Sequence, residues 1–176
     1  MVIHLMSSKY LKPIFIFLIL ALIMPGVNAQ QPTKVSLYDI ESDPNQDLAA
    51  AMNIAAQSGK HVFLQIGGNW CKWCLRFHDF ISKNQELDSI LNKNYVSLHV
   101  NYSKENKNLP FMETLGFPQR FGFPVFVVMD ISGNRIHTQS SWFLEDGKES
   151  YDVEKVKAFL LDWSPQALNP LNYREK

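Results

Sequence analysis

The chain has 176 residues, of which 46% are hydrophobic and 19% are charged. This composition excludes a disordered protein and supports one packed domain. Its 17 basic and 17 acidic residues balance, so the charge gives no reason to expect nucleic acid or an anionic membrane surface as a partner.

The first 29 residues have the three features of a secretory signal peptide. Lys9 and Lys12 precede an apolar run over residues 14–24, which is too short to cross a bilayer because a spanning helix takes about 20 residues. Val27 and Ala29 are small residues at the cleavage positions. We therefore expect cleavage after Ala29, a secreted or periplasmic location and no membrane span in the mature chain. An uncleaved membrane anchor is the alternative.

The remaining chain divides into a polar lead-in over 30–45, a domain over 46–163 and a C-terminal tail over 164–176. The lead-in contains at most a short strand, near 34–40. Within the domain, the patterns predict helices over 47–59, 71–82, 84–94, 109–116 and 152–163. They predict strands over 61–67, 95–102, 121–130 and 135–143. This order predicts an α/β fold with a central mixed sheet covered by helices on both faces.

Both cysteines lie in the stretch GGNWCKWCLRF, residues 67–77, where a predicted strand passes into a predicted helix. Cys71 falls in the first helical turn, where unpaired backbone N–H groups favour a thiolate, and Lys72 adds a nearby positive charge. Cys74 lies nearly one turn later, so it can attack a mixed disulfide formed at Cys71. We predict a redox-active Cys71–Cys74 disulfide in which the first sulfur is exposed and the second is shielded.

Two other interpretations of the cysteine pair stay open at this point. A disulfide across so short a loop stabilises a fold little, so a purely structural bond explains the pair poorly. Cys71, Cys74 and His78 have a spacing that suits three zinc ligands. Because no second cysteine pair completes such a site, we predict that the protein holds no metal.

The strand, the WCKWC motif, the helix and a proline that opens a later strand resemble the thioredoxin superfamily over roughly residues 46–163. The chain is similar to secreted thioredoxin-like proteins with a WCxxC site and to the C-terminal domain of membrane thiol:disulfide interchange proteins. This resemblance implies a cis bond between Phe123 and Pro124, whose backbone would position an extended substrate peptide. No bound cofactor is implied, because the disulfide is itself the redox group.

Two positions depart from thioredoxin. Gln65 stands where thioredoxin has a buried aspartate that helps to move the proton of the second thiol. Glutamine cannot take a proton, so water or another group, with Glu86 as a distant candidate, would have to replace the aspartate. Lys72 and Trp73 stand between the cysteines in place of Gly-Pro, which leaves the redox potential open.

These residues and the resemblance predict a thiol–disulfide oxidoreductase that acts on protein thiols and disulfides. Similarity to the interchange-protein domain favours reduction, with electrons from a membrane donor. Trp70 is expected to shield the nucleophile and shape the substrate surface, and Trp73 to be exposed and contact a partner. Segment 103–120 is a candidate for setting specificity. The competing class is a thioredoxin-fold module that binds clients while its thiols do no chemistry.

Overall fold

The computed structural model describes residues 36–174. The predicted signal peptide, its cleavage site and the start of the lead-in lie outside the described residues. Between residues 36 and 174, every helix is too short or too polar to cross a membrane.

Five α-helices and four strands build the described part of the chain. The helices are α1 (Pro44–Ser58), α2 (Lys72–Lys83), α3 (Gln85–Asn94), α4 (Leu109–Thr114) and α5 (Val153–Asp162). The strands are β1 (His61–Gly67), β2 (Tyr95–Asn101), β3 (Val125–Met129) and β4 (Arg135–Ser140). Single 3-10 turns occupy Pro118–Phe121, Ser141–Leu144 and Pro170–Tyr173.

The strands form one mixed sheet in the order β2-β1-β3-β4. β1 runs parallel to β2 and antiparallel to β3, and β3 is antiparallel to β4. β1 is therefore central, with neighbours on both sides, and its C-terminal end leads directly towards the two cysteines. The mixed sheet flanked by helices confirms the predicted α/β fold.

Side chains of β1 alternate between two hydrophobic cores, one on each face of the sheet. Val62, Leu64 and Ile66 pack with α1 and α4, while Phe63 packs with α2, α3 and α5. Burial on both faces explains why β1 reads as an almost continuous apolar run. Gln65 is the one polar side chain in this strand between the two ends, and it lies on the same face as Phe63, beneath α2.

Three element boundaries differ from the sequence predictions by three residues or more. β3 begins at Val125 instead of residue 121, because a 3-10 turn and Gly122, in the left-handed region (φ 84°), interrupt the extended chain. β4 ends at Ser140, where the next 3-10 turn begins. α1 begins three residues early because the Asp43 side chain caps it by accepting the Asn45 N–H. Residues 36–40 of the lead-in form no strand.

Candidate active site

The two cysteines form a disulfide at the junction of β1 and α2, with their Cα atoms 5.2 Å apart. Cys71 is the N-cap of α2, and its extended backbone turns the chain into the helix. The backbone N–H of Cys74 donates a hydrogen bond to the Cys71 sulfur over 3.1 Å. In the reduced protein the same N–H and the positive end of the helix dipole would stabilise a Cys71 thiolate.

The disulfide is more enclosed than the sequence predicts. Cys74 is fully buried, and Cys71 is only 5% exposed. The prediction of an exposed first sulfur is therefore wrong for this oxidised form. Tyr38 belongs to the same buried cluster, and Leu37 and Phe123 pack against it. The lead-in thus covers the cysteine pair, a long-range contact that no local pattern reveals.

Gln65 connects the lead-in to the first turn of α2. Its side chain is 3% exposed. The Gln65 Nε2 donates to the Tyr38 hydroxyl over 2.6 Å and to the backbone carbonyl of Cys74 over 3.0 Å. The position that holds an acid in thioredoxin therefore holds a hydrogen-bond donor here, directly beneath Cys74.

A cleft of about 160 Å³ lies beside Gln65 on the same face of the sheet. His78 of α2 and His99 of β2 line it, and His99 is the register partner of Gln65 in the parallel β1–β2 pair. The rings of His78 and His99 are 5.6 Å apart. Burial, and after it the charge of His78, lowers the pKa of His99 to about 4, so His99 is neutral at pH 7.

Glu86, the distant acidic candidate, forms an ion pair with Lys157. It does not line the cleft beside Gln65. Glu86 therefore faces α5 at the surface and supplies no carboxylate under Cys74.

An aromatic surface, defined by Trp70, Tyr102 and Phe123, lies beside Cys71. Trp70 is 58% exposed, and its indole N–H donates to the Tyr102 carbonyl over 2.8 Å. The Phe123 ring lies 5.5 Å from Trp70 and 4.9 Å from Tyr102, between ring centroids. The Phe123–Pro124 peptide bond is cis. Trp70, Phe123 and Pro124 are thus brought together next to the disulfide.

Trp73 lies elsewhere, and the prediction that it is exposed is wrong. It is half-buried, and its ring meets Tyr151 edge-on at 5.4 Å. The Tyr151 hydroxyl donates to the Trp73 carbonyl over 3.0 Å, and the Arg76 guanidinium lies 4.8 Å from the ring centroid. The start of α2 turns this side chain towards the hydrophobic core, so Trp70 is the tryptophan of the pair that faces solvent.

The remaining predicted residues of the site have simpler surroundings. Lys72 is exposed at the start of α2 and forms no ion pair within residues 36–174. His78 is exposed, and its ring faces His99, not the cysteines. Across the described part of the chain, no three His, Cys, Asp or Glu side chains are grouped to hold a metal ion. The geometry thus gives no support to the Cys71, Cys74 and His78 zinc alternative.

Sequence reasoning missed Tyr38, because the lead-in carries no motif. Asn69 holds it in place: the Tyr38 N–H donates to Asn69 Oδ1 over 3.1 Å, and Asn69 Nδ2 donates to the Tyr38 carbonyl over 2.7 Å. A lone tyrosine in a polar segment does not predict a place at an active site. Only the contact between positions thirty-one residues apart reveals its place beside the disulfide.

Known proteins are similar to this chain in sequence and in fold. The chain is 24% identical over 146 residues to the disulfide bond reductase DsbH of Chlamydia pneumoniae, covering 77% of this chain and 81% of that protein. Its fold matches the crystal structure of a disulphide isomerase from Xylella fastidiosa with a TM-score of 0.62 and 21% identity, covering 72% of this chain and 95% of that one. The DsbD C-terminal domain of Neisseria meningitidis is also similar, with a TM-score of 0.43, 18% identity, and 58% and 86% coverage.

The family of the chain follows from a match over half of its length. Residues 43–130 match the thioredoxin-like family, and this range contains β1, the cysteine pair and the cis bond before Pro124. The mixed sheet and the matched solved structure agree with that assignment. The chain belongs to the thioredoxin-like family and carries a Cys71–Cys74 pair with CxxC spacing.

Proposed function

We propose that this protein is an exported thiol–disulfide oxidoreductase that reduces disulfides in other proteins. Cys71 is the attacking thiol and Cys74 the resolving thiol. The observation that carries the proposal is the Cys71 sulfur at the start of α2, bonded to Cys74 and accepting the Cys74 N–H. A helix N-terminus lowers the pKa of a cysteine thiol, which makes it a nucleophile near neutral pH.

The reducing direction and the location are supported by separate observations. A relative with 24% identity is named a disulfide bond reductase, which favours reduction here. The signal-like residues 1–29 favour export into the periplasm or beyond. In such a compartment a reductase needs a continuous supply of electrons, so we include a membrane electron donor as its partner.

The substrate would bind across the aromatic surface and the cis Phe123–Pro124 bond. Within residues 36–174, the backbone N–H and carbonyl of Phe123 form no hydrogen bond, so both can pair with an extended peptide. Beside Trp70, a groove of about 480 Å³ is lined by Tyr102 and by residues 103–105 and 107. Part of the 103–120 segment therefore borders the proposed substrate path, which fits a role in specificity.

Turnover of insulin disulfides with dithiothreitol tests the function. The purified protein should accelerate insulin reduction, and Cys71→Ser should abolish the acceleration. Cys74→Ser should instead accumulate a mixed disulfide between Cys71 and the substrate, visible by mass spectrometry and reversed by dithiothreitol. Full activity in Cys71→Ser would show that the assignment of Cys71 as the attacking thiol is wrong, and no acceleration by the wild-type protein would favour a client-binding module.

The midpoint potential against glutathione tests the direction. A value near that of thioredoxin, about −270 mV, supports a reductase, and a value more than about 100 mV higher supports an oxidase role. Mass spectrometry of the exported protein tests the location: it should begin at Gln30.

A further inference from the structure

The hydrogen bonds of Gln65 determine the direction in which the Tyr38 hydroxyl can donate. The Cys74 carbonyl only accepts hydrogen bonds, so the Gln65 atom 3.0 Å from it must be the amide nitrogen. That same nitrogen lies 2.6 Å from the Tyr38 hydroxyl. Because an amide nitrogen only donates, the Tyr38 oxygen accepts here, and its own hydrogen is left for another acceptor.

The Cys74 sulfur and the Tyr38 hydroxyl lie on the same side of Gly67. A Cβ atom on Gly67 would lie 2.4 Å from Cys74 Sγ and 3.1 Å from the Tyr38 hydroxyl oxygen, so both atoms border the same small space. Tyr38 is fully buried, and among the hydrogen bonds of residues 36–174 none has its hydroxyl as donor. A disulfide sulfur is a weak acceptor, whereas a thiolate is a strong one.

We propose that the Tyr38 hydroxyl, oriented by Gln65, donates a hydrogen bond to the Cys74 sulfur when that sulfur is a thiolate. Tyr38 and Gln65 would then take the place of the buried acid of thioredoxin, by stabilising the anion instead of accepting its proton. This inference rests on the proposed function, because it concerns the resolving step of that reaction.

Substrate reduction takes two thiol–disulfide exchange steps. The Cys71 thiolate attacks the substrate disulfide, and the first substrate thiolate leaves and takes a proton from water. The Cys74 thiol then releases its proton to water, and its thiolate attacks the Cys71 sulfur. The Cys71–Cys74 disulfide forms, the bond between Cys71 and the substrate breaks, and the second substrate thiolate leaves. The protein dithiol loses two electrons and the substrate disulfide gains them.

Tyr38 keeps its proton throughout. Burial raises its pKa well above the ordinary value, and the Gln65 hydrogen bond opposes this only in part. The Tyr38 ring meets His99 at 5.5 Å, on the side of the cleft. The titratable or charged side chains around Cys74 and Tyr38 come from β2, α2 and the loop before α5: His99, His78, Lys72, Arg76 and Tyr151.

The test isolates the ionisation of Cys74 from any substrate. In a Cys71→Ser background, which keeps an N-cap oxygen, the Cβ chemical shift of labelled Cys74 is followed against pH by NMR. Adding Tyr38→Phe removes only the hydroxyl and should raise the Cys74 pKa by about one unit, a tenfold loss of thiolate at a given pH below the pKa. Tyr95→Phe is the matched control, because its buried hydroxyl donates to the Leu160 carbonyl away from the cysteines.

Rapid kinetics supplies the second measurement, in the protein with both cysteines. Tyr38→Phe should slow the release of substrate from the mixed disulfide about tenfold, and leave the rate of alkylation of Cys71 unchanged. Gln65→Leu removes the group that orients the hydroxyl. Gln65→Leu should raise the Cys74 pKa and slow the release of substrate, each by less than Tyr38→Phe does. It serves as the test if Tyr38→Phe does not fold.

The outcomes separate this inference from the proposed function. An unchanged Cys74 pKa in Tyr38→Phe, or an equal shift in Tyr95→Phe, would overturn the inference even if the protein reduces insulin well. Failure of the wild-type protein to reduce insulin would reject the function, whereas the titration of Cys74 needs no substrate and is judged by itself.

Discussion

The Cys74 sulfur occupies space that a side chain on Gly67 would need. A Cβ atom added at Gly67 would lie 2.4 Å from Cys74 Sγ, closer than two unbonded atoms can approach. Gly67 ends β1, and Cys74 lies in the first turn of α2. The close contact of this strand with the helix that carries the cysteines therefore depends on the absence of a side chain at this position.

Gly67→Ala should displace Cys74. We expect the free energy of unfolding of the oxidised protein to fall by about 1–3 kcal/mol, as for other overpacked sites, and insulin turnover to fall with it. Gly59→Ala is the control: its Cβ meets nothing within 4 Å, so only its left-handed backbone (φ 66°) adds a cost of about 1 kcal/mol. Wild-type turnover in Gly67→Ala would contradict the prediction.

Trp70→Ala should weaken the reduction of protein substrates. Its exposed ring would contact the substrate peptide, so kcat/KM for insulin should fall about tenfold, a loss of about 1.4 kcal/mol. Reaction with a small disulfide should change little, because such a substrate does not reach the aromatic surface. Trp142 is 73% exposed outside that surface, and Trp142→Ala should leave both rates unchanged. Equal losses for both substrates would indicate that Trp70 acts on the thiol instead.

Asn69→Ala should loosen the lead-in. The Asn69 amide forms two hydrogen bonds with the Tyr38 backbone and a third with the Ser36 hydroxyl. Their loss should lower the free energy of unfolding by about 1–3 kcal/mol and speed hydrogen exchange at the Tyr38 amide. Asn134→Ala is a control on a distant turn, where Asn134 pairs with Asp130. It should not alter exchange at Tyr38.

Acid should destabilise the protein through His99. The pKa of His99 is about 4 in the folded protein, and an unfolded histidine titrates near 6.5. Between these values the unfolded chain binds more protons, so the free energy of unfolding falls as the pH is lowered from about 6.5 towards 4. The loss attributable to this group is on the order of 2–3 kcal/mol.

Replacing the histidine tests the assignment. His99→Gln should flatten the pH dependence of urea denaturation between about pH 4 and 6.5. His78→Gln removes only the second cause of the shift and should flatten it less. An unchanged slope in His99→Gln would show that other groups govern acid stability.

Much of the fold could be predicted from the sequence, because local residue patterns determine most of its helices and strands. The apolar run of β1 predicts a buried strand, and the spacing of Val156, Phe159 and Leu160 predicts a helix with one buried face; the structure confirms both. The start of α2 at the cysteine pair follows from the Gly67–Asn69 break after β1. The boundaries of β3 were harder to predict, because the 3-10 turn before it has no distinct hydrophobic period.

The candidate site was likewise predictable where it depends on local sequence and not where it depends on packing. Two cysteines at CxxC spacing after a strand indicate redox chemistry, since side-chain spacing along a helix is set by the helix itself. The relative exposure of Trp70 and Trp73 could not be predicted, because both flank the helix start and only tertiary packing, including the contact with Tyr151, covers Trp73.

The elements, their order and the thiol pair follow from the amino-acid sequence alone, because they depend on residues within a few positions of one another. The surroundings of the Cys74 sulfur depend on tertiary packing. Tyr38, Gln65 and His99 come from the lead-in, β1 and β2, and they meet because the parallel β1–β2 register and the Asn69 hydrogen bonds bring them together. Contacts between distant segments depend on how the whole chain packs, and no local pattern encodes them.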